Sequence, residues 1–200
     1  MKGFGEKTQS NRVKIQKNDK AVNSSLLIKK AFELQAIGKQ FEAAKYYEYL
    51  IQQGVNDNRI FSNYGIFLKE IGKNKEAEIY LKKAISLNPK YANAYYNLAV
   101  LYINQKNFNE AEILLKKAIK LKSDFAIAYY NLGFILKDMG RLKEAESHKK
   151  KTLEIDAQFT DAYFSLSTMQ ISDTSQKWHN QLFAENILKN KNDRELVNIF

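Results

Sequence analysis

A period of 34 residues runs through this chain and decides which folds are open to it. The stretch YANAYYNLAVLYINQKNFNEAEILLKKAIKL, opening at Tyr91, aligns without a gap with FAIAYYNLGFILKDMGRLKEAESHKKKTLEI, opening at Phe125. A third stretch, RIFSNYGIFLKEIGKNKEAEIYLKKAISLNPK, lies one period upstream. A fixed period of this length is the signature of stacked supersecondary units, none of which can bury its apolar face alone. Composition says which units. A single proline and only 8 glycines leave long stretches free of helix breakers, so the spacing predicts long helices joined by brief turns.

The recurring residues carry the assignment further. The copy starting at Asn58 has Phe61, Tyr64, Gly65, Leu68, Gly72, Ala77, Leu81, Ala84 and Pro89. The copy starting at Ala92 has Tyr95, Leu98, Ala99, Tyr102, Ala111, Leu115 and Ala118, and that at Ala126 has Tyr129, Leu132, Gly133, Leu136, Gly140 and Ala145. This pattern resembles the tetratricopeptide repeat. The resemblance implies an all-α fold, a right-handed superhelical solenoid of antiparallel helix pairs, with first helices lining a concave groove and second helices outside. Small residues at Gly65, Ala99 and Gly133, facing Ala77, Ala111 and Ala145, let paired helices approach closely. Gly72 and Gly140 supply backbone freedom at the turns, a role that falls to Lys106-Asn107 in the middle copy.

Weaker copies flank these three. One from Ser24 keeps Ala31, Leu34, Gly38, Ala43 and Tyr47; one from Thr160 keeps Tyr163 and Leu166, with Trp178, Leu182, Phe183 and Ile187 on a helical face. The expected organisation is therefore a basic disordered tail over 1–23, an array over 24–193 with repeats starting at 24, 58, 92, 126 and 160, and a further helix beginning at 194–200. Val197 and Phe200 continue the register, so the sequence reads as the first part of a longer protein.

Other classes are set aside by composition. With no cysteine, disulfides and thiolate chemistry are excluded. No apolar run approaches the roughly 20 residues of a membrane span, and no apolar stretch follows the charged N-terminus as in a secretory signal; a cytoplasmic location is the default. The net charge of +10 raises nucleic acid as a partner, but Lys2, Lys7, Arg12, Lys14, Lys17 and Lys20 concentrate it in the tail, and nucleic-acid binding is not the expected function. Lys82-Lys83, Lys116-Lys117 and Lys149-Lys150-Lys151 recur near the C-terminal turns of second helices, where cations are favoured by the helix dipole. Lys149 falls where an apolar residue is usual, so its hairpin is expected to pack less well. His148 and His179 read as lone surface histidines. Glu76, Glu110 and Glu144 belong to N-terminal turns of second helices and are not paired general acids. No catalytic constellation, metal site or cofactor is expected.

In tetratricopeptide proteins the groove is lined by first-helix positions 2, 5, 6, 9, 12 and 13. Here these are Arg59, Ser62, Asn63, Ile66, Lys69 and Glu70, then Asn93, Tyr96, Asn97, Val100, Ile103 and Asn104, then Ile127, Tyr130, Asn131, Phe134, Lys137 and Asp138. Asparagine recurs at the sixth position as Asn63, Asn97 and Asn131. A carboxamide donates and accepts, so such a ladder can hold a peptide backbone without reading side chains; it resembles the asparagine ladder of O-linked N-acetylglucosamine transferases. The lysine and asparagine pattern of the family's carboxylate clamp is absent. The expected function is a scaffold binding an extended peptide through Arg59, Asn63, Lys69, Asn93, Tyr96, Asn97, Tyr130, Asn131 and Lys137. The alternative is a substrate-presenting arm of a bacterial glycosyltransferase or sulfotransferase whose catalytic domain lies beyond Phe200. Self-association through the last helix is a further expectation.

Overall fold

The computed structural model describes residues 24–169 and Asn180. The expected tail at 1–23, the face bearing Trp178, Leu182, Phe183 and Ile187, His179, and the helix starting at 194 lie outside the described residues. Within them the chain is all-α and without a strand. Its elements are α1 (Ser24–Ala36), α2 (Gln40–Gln52), α3 (Asn58–Glu70), α4 (Asn74–Leu87), α5 (Ala92–Asn104), α6 (Phe108–Leu121), α7 (Ala126–Asp138), α8 (Leu142–Ile155) and α9 (Thr160–Ser167). Odd-numbered helices are the first of each pair and even-numbered ones the second.

Each pair packs at near backbone contact. A Cβ added to Gly65 in α3 would stand 2.8 Å from Leu81 Cγ and 3.2 Å from the Ala77 carbonyl in α4. Its counterpart Gly133 in α7 lies equally close to Lys149 Cγ (2.9 Å) and the Ala145 carbonyl (3.0 Å) in α8. Ala99, Ala111 and Leu115 make the same buried contact in the middle pair. What the pair leaves uncovered is buried by the next one. Leu68 and Leu81 pack on Leu98 and Leu101 of α5, and Ala99 and Leu115 pack on Leu132, Ile135 and Leu136 of α7. Full burial of one such side chain contributes roughly 1.5–3 kcal/mol.

The turns inside the pairs are left-handed caps. Gly38, Gly72 and Gly140 have φ of 78°, 79° and 77°. Each closes the preceding helix with a pair of backbone bonds such as Gly72 N–H to the Lys69 carbonyl and Lys73 N–H to the Leu68 carbonyl. In the middle pair Lys106 takes this place with φ 58°, and Lys106 and Asn107 donate to Ile103 and Tyr102 as the glycine turns do. The period thus imposes a conformation that lysine adopts only at a cost.

Where helices of like kind touch, it is the first helices, α3 with α5. Hydrogen bonds from Asn97 to Ser62 and from Asn131 to Tyr96 tie α5 to α3 and α7 to α5. These contacts join the first helices of successive pairs along one face of the array. No helix among the described residues is long and apolar enough to cross a membrane.

Lys106→Gly should stabilise the protein by about 0.5–1 kcal/mol. Relief of the left-handed strain on a residue bearing a Cβ is partly offset by the extra freedom glycine brings to the unfolded chain. Denaturant midpoints of the two proteins check this, and an unchanged or lower midpoint for the variant counts against it.

Candidate functional site

The concave face is built from one stripe of each first helix, and its asparagines are already engaged. Asn97 Nδ2 donates to Ser62 Oγ at 2.9 Å and Asn131 Nδ2 donates to the Tyr96 hydroxyl at 3.1 Å. Asn63 Nδ2 donates to the Tyr47 hydroxyl at 3.3 Å, and that hydroxyl in turn donates to Gln35 Oε1. Burial pushes the Tyr47 phenol up to about 12, so it stays a neutral donor. The sequence places the sixth positions along the groove as a ladder of amides, without naming partners for them. In the structure each amide also bonds a hydroxyl of the neighbouring pair and so forms a rung between pairs. Each of these bonds uses one N–H of the carboxamide, which leaves its second N–H and its Oδ1 outside the rung.

The other groove residues divide by environment. Arg59 is exposed and forks onto Asp57, with Nη2 2.6 Å and Nε 3.1–3.2 Å from its carboxylate oxygens. That guanidinium holds the Asp57 carboxyl below the usual range and lies 5.2 Å over the Phe32 ring. Tyr96 and Tyr130 are half-buried, with rings 5.1 Å from Phe125 and 5.0 Å from Phe159, and burial raises both phenols. Asn93 and Lys137 are exposed, and Lys69 is half-buried. The hydroxyl partners of the rungs, Ser62 and Tyr96, were legible as groove positions but not as partners. The signal lies one residue beyond the period, since both bonds join residues 35 apart.

An apolar row runs beside the amides, three residues along each first helix: Phe32, Ile66, Val100 and Phe134. The first three are half-buried and Phe134 is 40% exposed. At the α1 end the row opens into a hollow of about 490 Å³ walled by Ile28, Phe32, Ala36, Glu33 and Arg59.

On the outer face the recurrent lysines are largely matched within their own helices. Lys82 pairs with Glu78 (2.6 Å), Lys116 with Glu112 (2.6 Å) and Lys150 with Glu146 (2.8 Å), and Lys117 lies 6.0 Å over the Tyr95 ring. Exposed pairs four residues apart contribute only about 0.3–0.5 kcal/mol each, but they lower the positive field of the ridge. His148 is not an open surface histidine. It is half-buried, 5.9 Å from the Tyr129 ring, and burial shifts it below the usual imidazole range. Among the described residues no cluster of three metal-ligating side chains occurs.

Lys149 departs furthest from the pattern. It stands where Leu81 and Leu115 stand in the preceding pairs and is just 1% exposed. Its stem lies against Gly133 and its ammonium donates to Ser165 Oγ in α9. Burial lowers the ammonium to about 8; Lys137 adds to the shift and Asp138 opposes it.

Residues 27–128 match the family described as the cilia and flagella-associated protein 70 middle TPR-like domain, and residues 114–147 match a tetratricopeptide repeat family. No curated protein matches the chain. Among solved structures, MamA is 25% identical with a TM-score of 0.69, over 81% of this chain and 97% of that one. YrrB, described as a TPR protein with an unusual peptide-binding site, is 17% identical with a TM-score of 0.65, over 86% of this chain and 90% of that one. A thermophilic TPR protein of Thermus thermophilus is 17% identical with a TM-score of 0.70, over 88% of this chain and 97% of that one.

Lys149→Leu should stabilise the array by about 1–3 kcal/mol at pH 7, because a buried ion gives way to the leucine that already fits over glycine at Leu81. In wild type the folded state releases this proton near pH 8 and the unfolded state only near 10.5. Stability should therefore rise with pH from about 8 towards 10, and the variant should lose that rise. Above about pH 10 the buried phenols of Tyr47 and Tyr64, both held up to about 12, act in the opposite sense in both proteins. Denaturant titrations of both proteins between pH 7 and 10 read the difference. Parallel pH profiles would overturn the assignment.

Proposed function

We propose, for a chain that belongs to the family of the cilia and flagella-associated protein 70 middle TPR-like domain, that its concave groove holds an extended segment of a protein partner. The observation that carries this reading is the amide ladder. Three carboxamides, one per repeat, are each steadied by a hydroxyl of the neighbouring helix and each keep an acceptor oxygen. A row of fixed acceptors suits a backbone, because every residue of an extended chain except proline carries an N–H. Their pre-ordering by Tyr47, Ser62 and Tyr96 lowers the entropy lost on binding. Tyr96 and Tyr130 supply large contact area, and Arg59, Asn93, Lys69 and Lys137 form the rim. The likeness to YrrB supports the reading at the level of fold. A transferase-arm role adds a catalytic domain for which neither the groove nor the relatives supplies a residue.

Replacing Asn97 and Asn131 together by alanine should weaken peptide binding by about tenfold to a thousandfold. Each lost amide removes up to two bonds of about 0.5–1.5 kcal/mol, and 1.4 kcal/mol is a factor of ten. Fluorescence anisotropy with peptides selected from a random library measures it, at a temperature where circular dichroism finds both proteins folded. Lys83→Ala/Lys117→Ala on the outer face is the control and should bind as wild type. If the lysine variant loses affinity while the asparagine variant keeps it, the partner sits on the outer face and the groove reading fails.

A further inference from the structure

We infer that the α7–α9 end of the groove is a carboxylate site. An acidic side chain of the held segment accepts hydrogen bonds from the Ser165 and Tyr130 hydroxyls, and the ammonium of Lys149 behind Ser165 supplies the charge. This inference rests on the peptide-holding reading and adds which side chain of the segment the groove reads.

The charge comes from a residue out of pattern. The preceding pairs fill their seams with Tyr47, Leu81 and Leu115, and Lys149 takes the same place in α8 with only 1% of its surface exposed. Its stem follows α7, since a Cβ built on Gly133 would stand 2.9 Å from Lys149 Cγ and 3.4 Å from Cε. The head then reaches α9 and donates to Ser165 Oγ. Taking an ammonium out of water costs far more than one neutral hydroxyl returns. Burial and Lys137 together outweigh the pull of Asp138 on it. A further anion beside this group makes good the deficit.

Ser165 is the part of this arrangement that a ligand can touch. It is half-buried and stands one period after Asn131, in the sixth place of α9. An ammonium has no lone pair, so Ser165 Oγ is the acceptor in their bond and its own O–H is directed elsewhere as a donor. The cation behind it strengthens that donation. The same joint lacks an amide. In the joint before it, Asn131 Nδ2 spans to the Tyr96 hydroxyl at 3.1 Å. The corresponding residues here are Ser165 and Tyr130, and serine ends where the carboxamide of asparagine begins. Burial raises the Tyr130 phenol, which keeps it neutral and a donor. A carboxylate has the planar shape of the missing carboxamide and an accepting oxygen for each hydroxyl.

Charge selects at close range only. Lys137 and Lys149 are set against Asp138, which acts on Lys149, and Asp161, which acts on Tyr130. At a distance these four cancel. Near Ser165 the buried Lys149 dominates, because Asp138 and Asp161 are exposed and screened by water. The rungs at Asn63, Asn97 and Asn131 are neutral amides on neutral hydroxyls, so among the rungs a preference for an acid belongs to this one. Ser165 lies in the row past which the segment runs, so the group that meets it is a side chain rather than a chain end.

The test uses the full chain and a phage library of random peptides whose carboxyl ends are fused to the coat protein. Peptides are selected on wild type and on Lys149→Leu/Ser165→Asn, which restores the leucine and the amide of the preceding repeats. The wild-type pool should be enriched in Asp or Glu at one position, and the variant pool should not. Synthetic copies of the wild-type peptides, with free and with amidated ends, are then measured by fluorescence anisotropy. Exchanging the acid for its amide should weaken binding to wild type about tenfold, as expected for losing a charge-assisted bond. The same exchange should change binding to Lys149→Leu or Ser165→Ala by no more than about twofold, with circular dichroism finding both folded. From about pH 8 upward the advantage of the acid should shrink as free Lys149 loses its proton, while the amide peptide is unaffected. Equal binding of acid and amide by wild type, or an acid preference that survives in both variants, overturns the inference. So does a preference that follows the free chain end and not the side chain. If acid and amide bind alike yet both lose affinity with Asn97→Ala/Asn131→Ala, the groove reading stands and this one falls. If the selected peptides respond neither to those substitutions nor to Lys149→Leu, both fall.

Discussion

Everything in this array depends on how closely the two helices of a pair can approach. Gly65 and Gly133 admit no side chain without collision, and Ala99 completes the set with a single buried methyl. That contact brings α4, α6 and α8 so near their partners that each pair has one broad apolar surface left over, and only the next pair covers it. Stacking is the consequence, and it brings first helices of successive pairs into contact along one face. The groove exists because of residues on its far side.

This dependence explains why the fold was legible in the sequence. Small residues at a constant interval are required by backbone contact, and leucines must recur in step to fill the seam between pairs. Turn conformation is subject to the same constraint: Lys106 is forced into the left-handed region because the stacking of its neighbours leaves the turn no other shape. The period overrides local preference at that point.

The candidate site was legible only in part. The period located Asn63, Asn97 and Asn131, but it compares each residue with its own equivalents and is blind to contacts between different positions. The bonds that orient the amides join the sixth position to the fifth of the preceding repeat, or to Tyr47 in a second helix. Ser62 and Tyr96 differ in size yet serve as the same acceptor, so neither stands out in an alignment of copies. Lys149 is recognisable as misplaced, but its consequence is not. A long flexible stem can lie against Gly133 as leucine does while its head reaches a hydroxyl in the next pair.

Lys149 and the amide rungs illustrate two outcomes of placing polar groups between repeats. The rungs use neutral groups, half-buried amides on hydroxyls of which those of Tyr47 and Ser62 are on buried residues, and each bond satisfies a polar group without burying a charge. The lysine uses a charge at a buried position, where one hydroxyl and the nearby Asp138 offset little of its lost hydration. The joint between α8 and α9 is therefore intrinsically less favourable than those before it, although its backbone geometry follows the same plan.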